Sequence, residues 1–293
     1  MKLIHKVEEC TIYESNKHSY SSSVSKITAM PIKSFLLKVS SSSSGGSESA
    51  VSLLSSVAKL IKHAYSHTMF SIKFKALRVV SLKTFIQDMH SASDTDDMFG
   101  MAYTLTLKLL ADIGTQLEHI RADYGRIIPF LSLEDIVVVT QTRDQYDEEG
   151  EGEGEGEGEG EGEGEGEGRE SNKITMVFDY VFVFMNAEKL ILMQKNNKKE
   201  LIIDVPLKVN KHTSFLPVEL PESALKRLPM RLTTTSWQYS LSALCIYALL
   251  QHKFKNGEDD IERIGRPFLH TSLYFCLKRC LKPDTEERVL LYV

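Results

Sequence analysis

The chain has 293 residues, of which 42% are hydrophobic and 26% charged; this is the composition of a globular protein that can bury a sizeable core. Its formal net charge of −5 comes from one segment: residues 147–170 hold thirteen acids and one arginine, and the rest holds 34 basic and 27 acidic residues. No signal peptide is recognisable, and the longest apolar stretch, Trp237 to Leu250, is too short to span a bilayer. We therefore expect a cytoplasmic or nuclear protein with no membrane partner.

The first 90 residues predict mainly strands with one helix. Residues 1–39 form short strand-like runs, and Lys33–Val39 alternates as a half-buried strand does. Apolar residues at helical spacing predict a helix over 50–65, and residues 69–81 return to strand-like runs. We therefore take residues 1–90 as a strand-rich unit.

Residues 91–293 predict a mainly helical unit. A helix is expected over 97–120, followed by a loop that ends in the apolar strand Ile136 to Val139. Further strands are expected over 173–185, 189–194 and 200–205, and helices over 236–250 and 271–281. A last helix is expected from Asp284, because Asp284 and Glu287 have the spacing of a capping box. The order of elements is that of an α+β protein.

A run of ten Glu-Gly pairs, residues 149–168, interrupts this second unit. It has no apolar side chain to offset the entropy lost on folding, and its like charges repel each other. We expect a disordered acidic insertion over residues 144–171. It is either a segment that attracts basic partners or a tolerated product of repeat expansion.

The four cysteines, Cys10, Cys245, Cys276 and Cys280, include no Cys-x-x-Cys pair, which favours buried thiols over a disulfide or a metal site. No His-Glu-x-x-His or Gly-x-Ser-x-Gly motif is present. The basic clusters at 195–199 and 208–212 lack interleaved aromatic residues, so nucleic acid is not the expected partner.

The carboxyl-terminal third contains two recognisable motifs. One is the segment Leu277 to Arg288, in which Cys280-Leu281 ends a predicted helix and Asp284 and Arg288 follow; the other is Leu216-Pro217-Val218-Glu219. They resemble two motifs of the protein kinase family, a Cys-Leu helix end followed by Asp-Pro-x-x-Arg and an Ala-Pro-Glu motif. The resemblance implies a structural ion pair between Glu219 and Arg288. Trp237 to Ser242 is similar to the start of the family's buried central helix, without its aspartate and glycine.

The segment Ile128 to Val138 aligns without a gap with the kinase catalytic loop, His-Arg-Asp-Leu-Lys-Pro-Glu-Asn-Ile-Leu-Leu. Phe130 takes the place of the catalytic aspartate, and a phenylalanine cannot accept the proton of a substrate hydroxyl. Asp135 takes the place of the metal-binding asparagine. We therefore expect no phosphoryl transfer by the usual route.

Two further residues are candidates for nucleotide and metal binding through the same resemblance. Asp179 would be the magnesium ligand of the Asp-Phe-Gly motif, or else an ordinary strand-end residue. Lys38 would be the phosphate-contacting lysine of the Val-Ala-Ile-Lys strand, or else a solvated lysine. Residues 9–30 contain no glycine, so a glycine-rich phosphate loop is missing. The resemblance thus suggests ATP and Mg²⁺ as cofactors, and the missing glycine-rich loop counts against them.

The resemblance implies a bilobal kinase-like fold, with a small strand-rich N-lobe and a mainly helical C-lobe. Its expected role is that of a pseudokinase, a scaffold or regulator that binds a protein partner such as a kinase or a basic protein. One alternative is a weakly active ATP-dependent serine/threonine kinase that uses Lys38, Asp135 and Asp179. Another is a C-lobe interaction domain whose first 80 residues form no nucleotide lobe, and a different α+β fold is a third.

Overall fold

A computed structural model of the protein describes residues 1–7, 10–18, 32–39, 46–61, 64–68, 70–91, 98–142, 178–193, 200–204, 207–210, 212–220, 227–255 and 258–289. The acidic insertion expected over 144–171 lies outside these residues. Among the described helices, none combines the length and the hydrophobicity needed to cross a bilayer.

The amino-terminal part is a five-stranded antiparallel sheet. Its strands run in the spatial order β1-β2-β3-β5-β4 and comprise β1 (Lys2–Val7), β2 (Cys10–His18), β3 (Lys33–Val39), β4 (Ala64–Thr68) and β5 (Ser71–Ala76). In β3, Phe35, Leu37 and Val39 belong to the core, whereas on the opposite side of the strand Lys38 is exposed and Leu36 is buried outside that core. Successive side chains point to opposite faces because a strand has a two-residue period.

Helix α1 (Gly46–Leu60) lies between β3 and β4 in the chain. It begins four residues before the predicted start and ends five before the predicted end, and Ala64 and Tyr65 belong to β4 instead. The residues after Leu60 enter the sheet because Ala64 pairs with Phe74 of β5.

The rest of the described chain is mixed. Its strands form one three-stranded sheet in the order β10-β9-β6 and three two-stranded pairs, β7 with β11, β8 with β13, and β12 with β14. The strand bounds are β6 (Arg78–Ser81), β7 (Arg126–Ile127), β8 (Leu131–Ser132), β9 (Ile136–Thr142), β10 (Phe178–Phe184), β11 (Ile191–Leu192), β12 (Glu200–Ile203), β13 (Ser214–Phe215) and β14 (Met230–Thr233).

The remaining helices are α2 (Leu82–Ser91), α3 (Met98–Tyr124), α4 (Ser236–Leu250), α5 (Ile261–Ile264) and α6 (Ser272–Cys280). Helix α4 is observed at its predicted bounds, and it is buried on nearly all sides. The predicted cap of α6 is also present, since the Thr271 hydroxyl accepts from the Tyr274 amide at 3.2 Å. Helix α2 was not predicted, although Leu82, Ile86 and Met89 have helical spacing and are buried.

The predicted helix from Asp284 is wrong. Residues 284–287 form bends, and the Asp284 carboxylate accepts from the Glu286 amide at 2.9 Å, as a helix cap would. The turn is not continued, because the Thr285 carbonyl accepts from the Thr235 hydroxyl at 3.0 Å and the Arg288 side chain donates back to the carbonyls of Lys282 and Pro283. Contacts with neighbouring segments thus replace the bonds of a helical turn.

The buried residues of the amino-terminal sheet and of the helical part form one continuous core. All four cysteines are buried, and none forms a disulfide.

Helix α3 holds the edge strand β10 through two polar side chains that lie one turn apart. The Asp112 carboxylate accepts from the Phe182 amide at 3.0 Å, and the Gln116 carboxamide exchanges hydrogen bonds with the amide and carbonyl of Phe184 at 2.7 and 3.0 Å. Gln116 also donates to Ser56 of α1 at 3.0 Å. Because an edge strand leaves backbone groups unpaired, these side chains complete its hydrogen bonding.

Burial raises the pKa of Asp112 above its ordinary value of 3.8, against the hydrogen bonds from the Phe182 amide and Lys108, and nearby Asp179 adds to the rise. A raised pKa means that the folded state binds more protons than the unfolded chain, so this group lowers stability as pH rises from 3.8 through the folded pKa.

We predict that Asp112→Asn, which keeps an oxygen for the Phe182 amide, gains stability relative to the wild type between pH 3.5 and pH 7. Urea unfolding at several pH values measures the difference. The exposed Asp88→Asn is the control for removal of a carboxylate. A difference that is flat or reversed with pH would contradict the assignment.

Candidate functional site

The segment that follows α3 positions the first side chains of the candidate site. Strand β8 pairs with β13, so that Ser132 lies opposite Ser214 and Leu131 opposite Phe215. A single 3₁₀ turn, Leu133–Asp135, then leads into β9. The Ser240 hydroxyl of the buried helix α4 accepts from the Leu131 amide at 2.6 Å and donates to the Phe215 carbonyl at 2.6 Å. The loop is therefore anchored to the centre of the helical part.

Asp135 is the centre of a buried polar network. Its residue is 2% exposed, and its carboxylate accepts from three donors: the Ser132 amide at 2.8 Å, the Asn186 carboxamide at 2.8 Å and the Lys189 ammonium at 2.6 Å. Its backbone carbonyl accepts from the Met185 amide at 2.7 Å. Residues 132–135 and 185–189 are thus joined through one aspartate.

Lys189 supplies the positive charge of this network. It ends the 3₁₀ turn Ala187–Lys189 that follows β10, and its side chain is 7% exposed. Its ammonium group also donates to the Ser132 hydroxyl at 2.8 Å, which in turn shares a hydrogen bond of 2.7 Å with the Ser214 hydroxyl. A buried carboxylate is tolerated only when a partner and hydrogen bonds compensate it, and Lys189 is that partner.

Phe130 is fully buried below this ammonium group. The Lys189 nitrogen lies 4.1 Å from the centroid of the Phe130 ring, within the range of a cation–π contact. The position that the kinase resemblance assigns to the catalytic base therefore presents an aromatic face to a cation. It has no group that can accept a proton from a substrate.

Lys38 is not part of this network. It lies on β3, on the exposed side of the sheet, opposite to the side that Leu37 and Val39 bury. The acid in the first turn of α1, Glu48, does not pair with Lys38 but binds Arg126 of β7 at 2.9 Å.

Asp179 is not brought to Asp135 either. In the β9–β10 hairpin Asp179 pairs with Gln141, whereas Phe184, at the other end, pairs with Ile136, next to Asp135. Asp179 and Phe184 are five positions apart along β10, a distance of roughly 17 Å. The residue beside Asp135 is Asn186.

The network does not fit a magnesium–nucleotide complex. Both oxygens of Asp135 already accept hydrogen bonds, one of them from the Lys189 ammonium at 2.6 Å, and Lys38 and Asp179 lie elsewhere. Among the described residues, no group of three or more His, Cys, Asp or Glu side chains is arranged to hold a metal. Within the Asp135 network, the buried Oδ1 of Asn186 has no hydrogen-bond partner among the described residues.

The amino-terminal sheet reaches the same loop through His5 of β1. Burial lowers the pKa of His5, against a hydrogen bond with the backbone of Glu134 that raises it. A neutral imidazole is therefore favoured at this contact between the sheet and the 3₁₀ turn.

The structure brings Glu219 and Arg288 together. The guanidinium donates to both carboxylate oxygens, at 2.6 and 2.9 Å, and its centre lies 5.1 Å from the centroid of the Tyr239 ring. The Ser236 hydroxyl of α4 donates to the same carboxylate at 2.7 Å. Burial acts to raise the pKa of Glu219, but the hydrogen bonds from Arg288 and Ser236 outweigh it and hold the pKa below its ordinary value of 4.5.

Lys189 and Asn186, the side-chain partners of Asp135, were not predicted from the sequence. The signal was weak, because both follow an apolar strand in a segment with no recognisable motif. Their role depends on the pairing of β9 with β10, which returns residues 185–189 to Asp135 across the insertion.

In comparisons with known proteins, no protein-family model matches the chain, and no curated protein matches it. One solved structure to which it is similar is the kinase domain of a rhoptry antigen specific to Toxoplasma gondii. The identity is 14% and the TM-score 0.44, and the match covers 97% of this chain and 74% of that one. A likeness of this size does not by itself establish a family.

We predict that Lys189→Met destabilises the protein by about 3–5 kcal/mol, because it leaves the Asp135 carboxylate buried without a cation. Urea unfolding measures the loss, and the double variant Lys189→Met/Asp135→Asn should recover part of it. Lys278→Met is the matched control, since Lys278 pairs with Glu262 at the same 2.6 Å on the surface. Equal losses for the two lysines would contradict the role of Lys189.

We predict a loss of similar size, about 3–5 kcal/mol, for Arg288→Met at pH 7. Because the pKa of Glu219 is lowered, its stabilisation is present above 4.5 and is lost as pH falls through the folded pKa. The deficit of the variant should therefore shrink on acidification, as chemical unfolding between pH 3 and pH 7 would show. Arg78→Met, which removes an exposed pair of the same 2.6 Å, should cost much less. A deficit that does not change with pH would count against the pair.

Proposed function

We propose that the protein is a kinase-like protein that does not transfer phosphate and acts as a scaffold or regulator by binding protein partners. One observation carries this proposal: the carboxylate that the resemblance assigns to a metal ion is bound by the ammonium group of Lys189. In protein kinases the magnesium ions are held by the Asp-Phe-Gly aspartate and the catalytic-loop asparagine. Here an internal cation holds the equivalent segments together.

The strand pairing supports a revised assignment of the Asp-Phe-Gly position. The strand that pairs with β9 ends at Phe184, so Met185 to Ala187 follows it and Asn186 takes the place beside Asp135. An amide is a weaker magnesium ligand than a carboxylate, since it carries no charge. With Phe130 at the position of the base and Asn186 at that of the Asp-Phe-Gly aspartate, the site would lack both the proton acceptor and the charged magnesium ligand of a protein kinase.

The Glu219–Arg288 pair and the buried helix α4 support the kinase-like part of the proposal. Both features were expected from the resemblance, and neither requires a ligand. We place the boundary between the two proposed lobes near residue 90, with the five-stranded sheet and α1 in the first lobe. A scaffold whose buried carboxylates are paired within the chain needs no nucleotide to present its binding surfaces.

The alternative of a weakly active kinase depends on one observation, the Asn186 oxygen that has no partner. If the Lys189 side chain left the site, this oxygen and Asp135 would be available to a divalent cation. The two proposals therefore differ in whether a metal and a nucleotide stabilise the protein.

We predict that ATP at millimolar concentration, with or without Mg²⁺ or Mn²⁺, does not raise the melting temperature. A ligand that binds only the folded state must stabilise it, by about 2.7 kcal/mol at one hundred times its Kd. Thermal-shift titration of the whole chain measures this. Asp135→Asn controls for the metal, and Lys38→Gln for the phosphate. A metal-dependent shift that Asp135→Asn abolishes would overturn the proposal and establish the alternative.

A further inference from the structure

The exposed side of the amino-terminal sheet carries a group of lysines that the candidate site does not use. The lysine face, as we name it, consists of Lys6, Lys38, Lys73 and Lys75, all exposed. Lys6 pairs with Thr11, Thr11 with Lys38, and Lys38 with Ser71, so this row crosses four strands on one side of the sheet. Lys73 pairs with Leu36, two residues before Lys38, and therefore lies on the same side.

No acid neutralises this face among the described residues. Within the described parts of residues 1–76, the carboxylates are those of Glu14 and Glu48. Glu14 pairs with Lys33 at 3.0 Å and Glu48 with Arg126 at 2.9 Å. No side-chain hydrogen bond or ion pair joins any of the four ammonium groups to another described residue. Among the described residues their four positive charges are thus uncompensated, which favours the binding of an anion.

The chemistry of the face favours an acidic peptide over a nucleic acid. It contains lysines, whose compact charge lacks the bidentate geometry of arginine for phosphate. Tyr13 is half-buried and is the one aromatic residue on this side among the described residues, so no stacking platform for bases is formed. Lys73 and Lys75 are two residues apart on one strand, about 6.6 Å, which is also the spacing of alternate residues in any extended peptide.

The chain itself contains a peptide of this chemistry, the Glu-Gly run of residues 149–168, with an acid at every second residue. The described chain stops at Thr142 and resumes at Phe178, leaving 35 residues between them. The end of β9 lies next to the lysine face: the Gln141 carboxamide donates to the Lys75 carbonyl at 3.4 Å, and the Leu77 amide donates to the Thr140 carbonyl at 2.8 Å. Strand β9, which leads into the run, therefore ends near Lys75, one lysine of this face.

From the complementary charge and the tether, we propose that the lysine face binds the Glu-Gly run of this chain. The inference goes beyond the proposed function and does not depend on it, because the face is separate from the Asp135 network. A tethered acid competes at a high effective concentration with any free acidic peptide.

The test uses a fluorescein-labelled (Glu-Gly)₁₀ peptide and fluorescence anisotropy. The probe is titrated with the whole chain and with a variant that lacks residues 149–168. We expect the deletion variant to bind the peptide at least tenfold more tightly than the whole chain, with affinity that falls between 50 and 300 mM salt. Equal affinity for the two proteins would overturn the proposal that the run occupies the face.

Charge reversal locates the binding surface. Lys38→Glu/Lys73→Glu in the deletion variant should abolish peptide binding, and the milder Lys38→Gln/Lys73→Gln should weaken it. The control Lys83→Glu/Arg231→Glu reverses the same number of exposed charges elsewhere and should leave binding unchanged. Melting temperatures of all the variants show that they are folded.

Two further probes separate the competing partners. A U₂₀ oligonucleotide and vesicles of phosphatidylcholine and phosphatidylserine are titrated under the same conditions. If either binds through Lys38 and Lys73 while the peptide does not bind, the proposal is wrong and the face belongs to that partner. Peptide binding that persists in the Lys→Glu variant would also overturn it.

Discussion

The buried ion pair of Asp135 and Lys189 is the interaction on which the organisation of this protein depends. One carboxylate, 2% exposed, joins the loop after α3 to the turn after β10, and the ammonium group extends the network to Ser132 and Ser214. Such a pair has a high desolvation cost, so it persists only where further hydrogen bonds complete it. Ser132 and Asn186 provide those bonds, and as a result three separate segments of the chain are held in one arrangement.

The second buried pair, Glu219 with Arg288, organises the carboxyl-terminal part by a different means. A guanidinium group binds a carboxylate with two parallel hydrogen bonds and so fixes its orientation as well as its distance. It also binds the carbonyls of Lys282 and Pro283, which ties Arg288 back to the segment that follows α6. In both pairs the cation belongs to the chain itself, Lys189 in one and Arg288 in the other. Internal pairing of these carboxylates suits a protein whose proposed role is to present surfaces to other proteins.

The fold brings the strand that leads into the Glu-Gly run close to the lysine face. The run and the lysines of the first 76 residues are far apart in the sequence, but Gln141, near the end of β9, donates to the backbone of Lys75. Lys38 illustrates the change in interpretation. The resemblance predicts that Lys38 contacts a nucleotide. In the structure, Leu37 and Val39 are buried on one side of β3, and Lys38 is exposed on the opposite side with the other lysines.

The sequence by itself determined the mixed order of strands and helices, the bounds of α4 and the Thr271 cap of α6, because these depend on hydrophobic period and on local hydrogen bonds. It also indicated the Glu219–Arg288 pair, since two motifs of a known spacing carry it. The tertiary structure alone decided the partner of Asp135, the outward direction of Lys38, the distance of Asp179 from the network and the absence of a helix over the described residues 284–289. Each of these depends on strand register or on contacts between residues distant in the sequence. A shift of one residue in a strand exchanges its two faces, and no local pattern in a single sequence determines such a register.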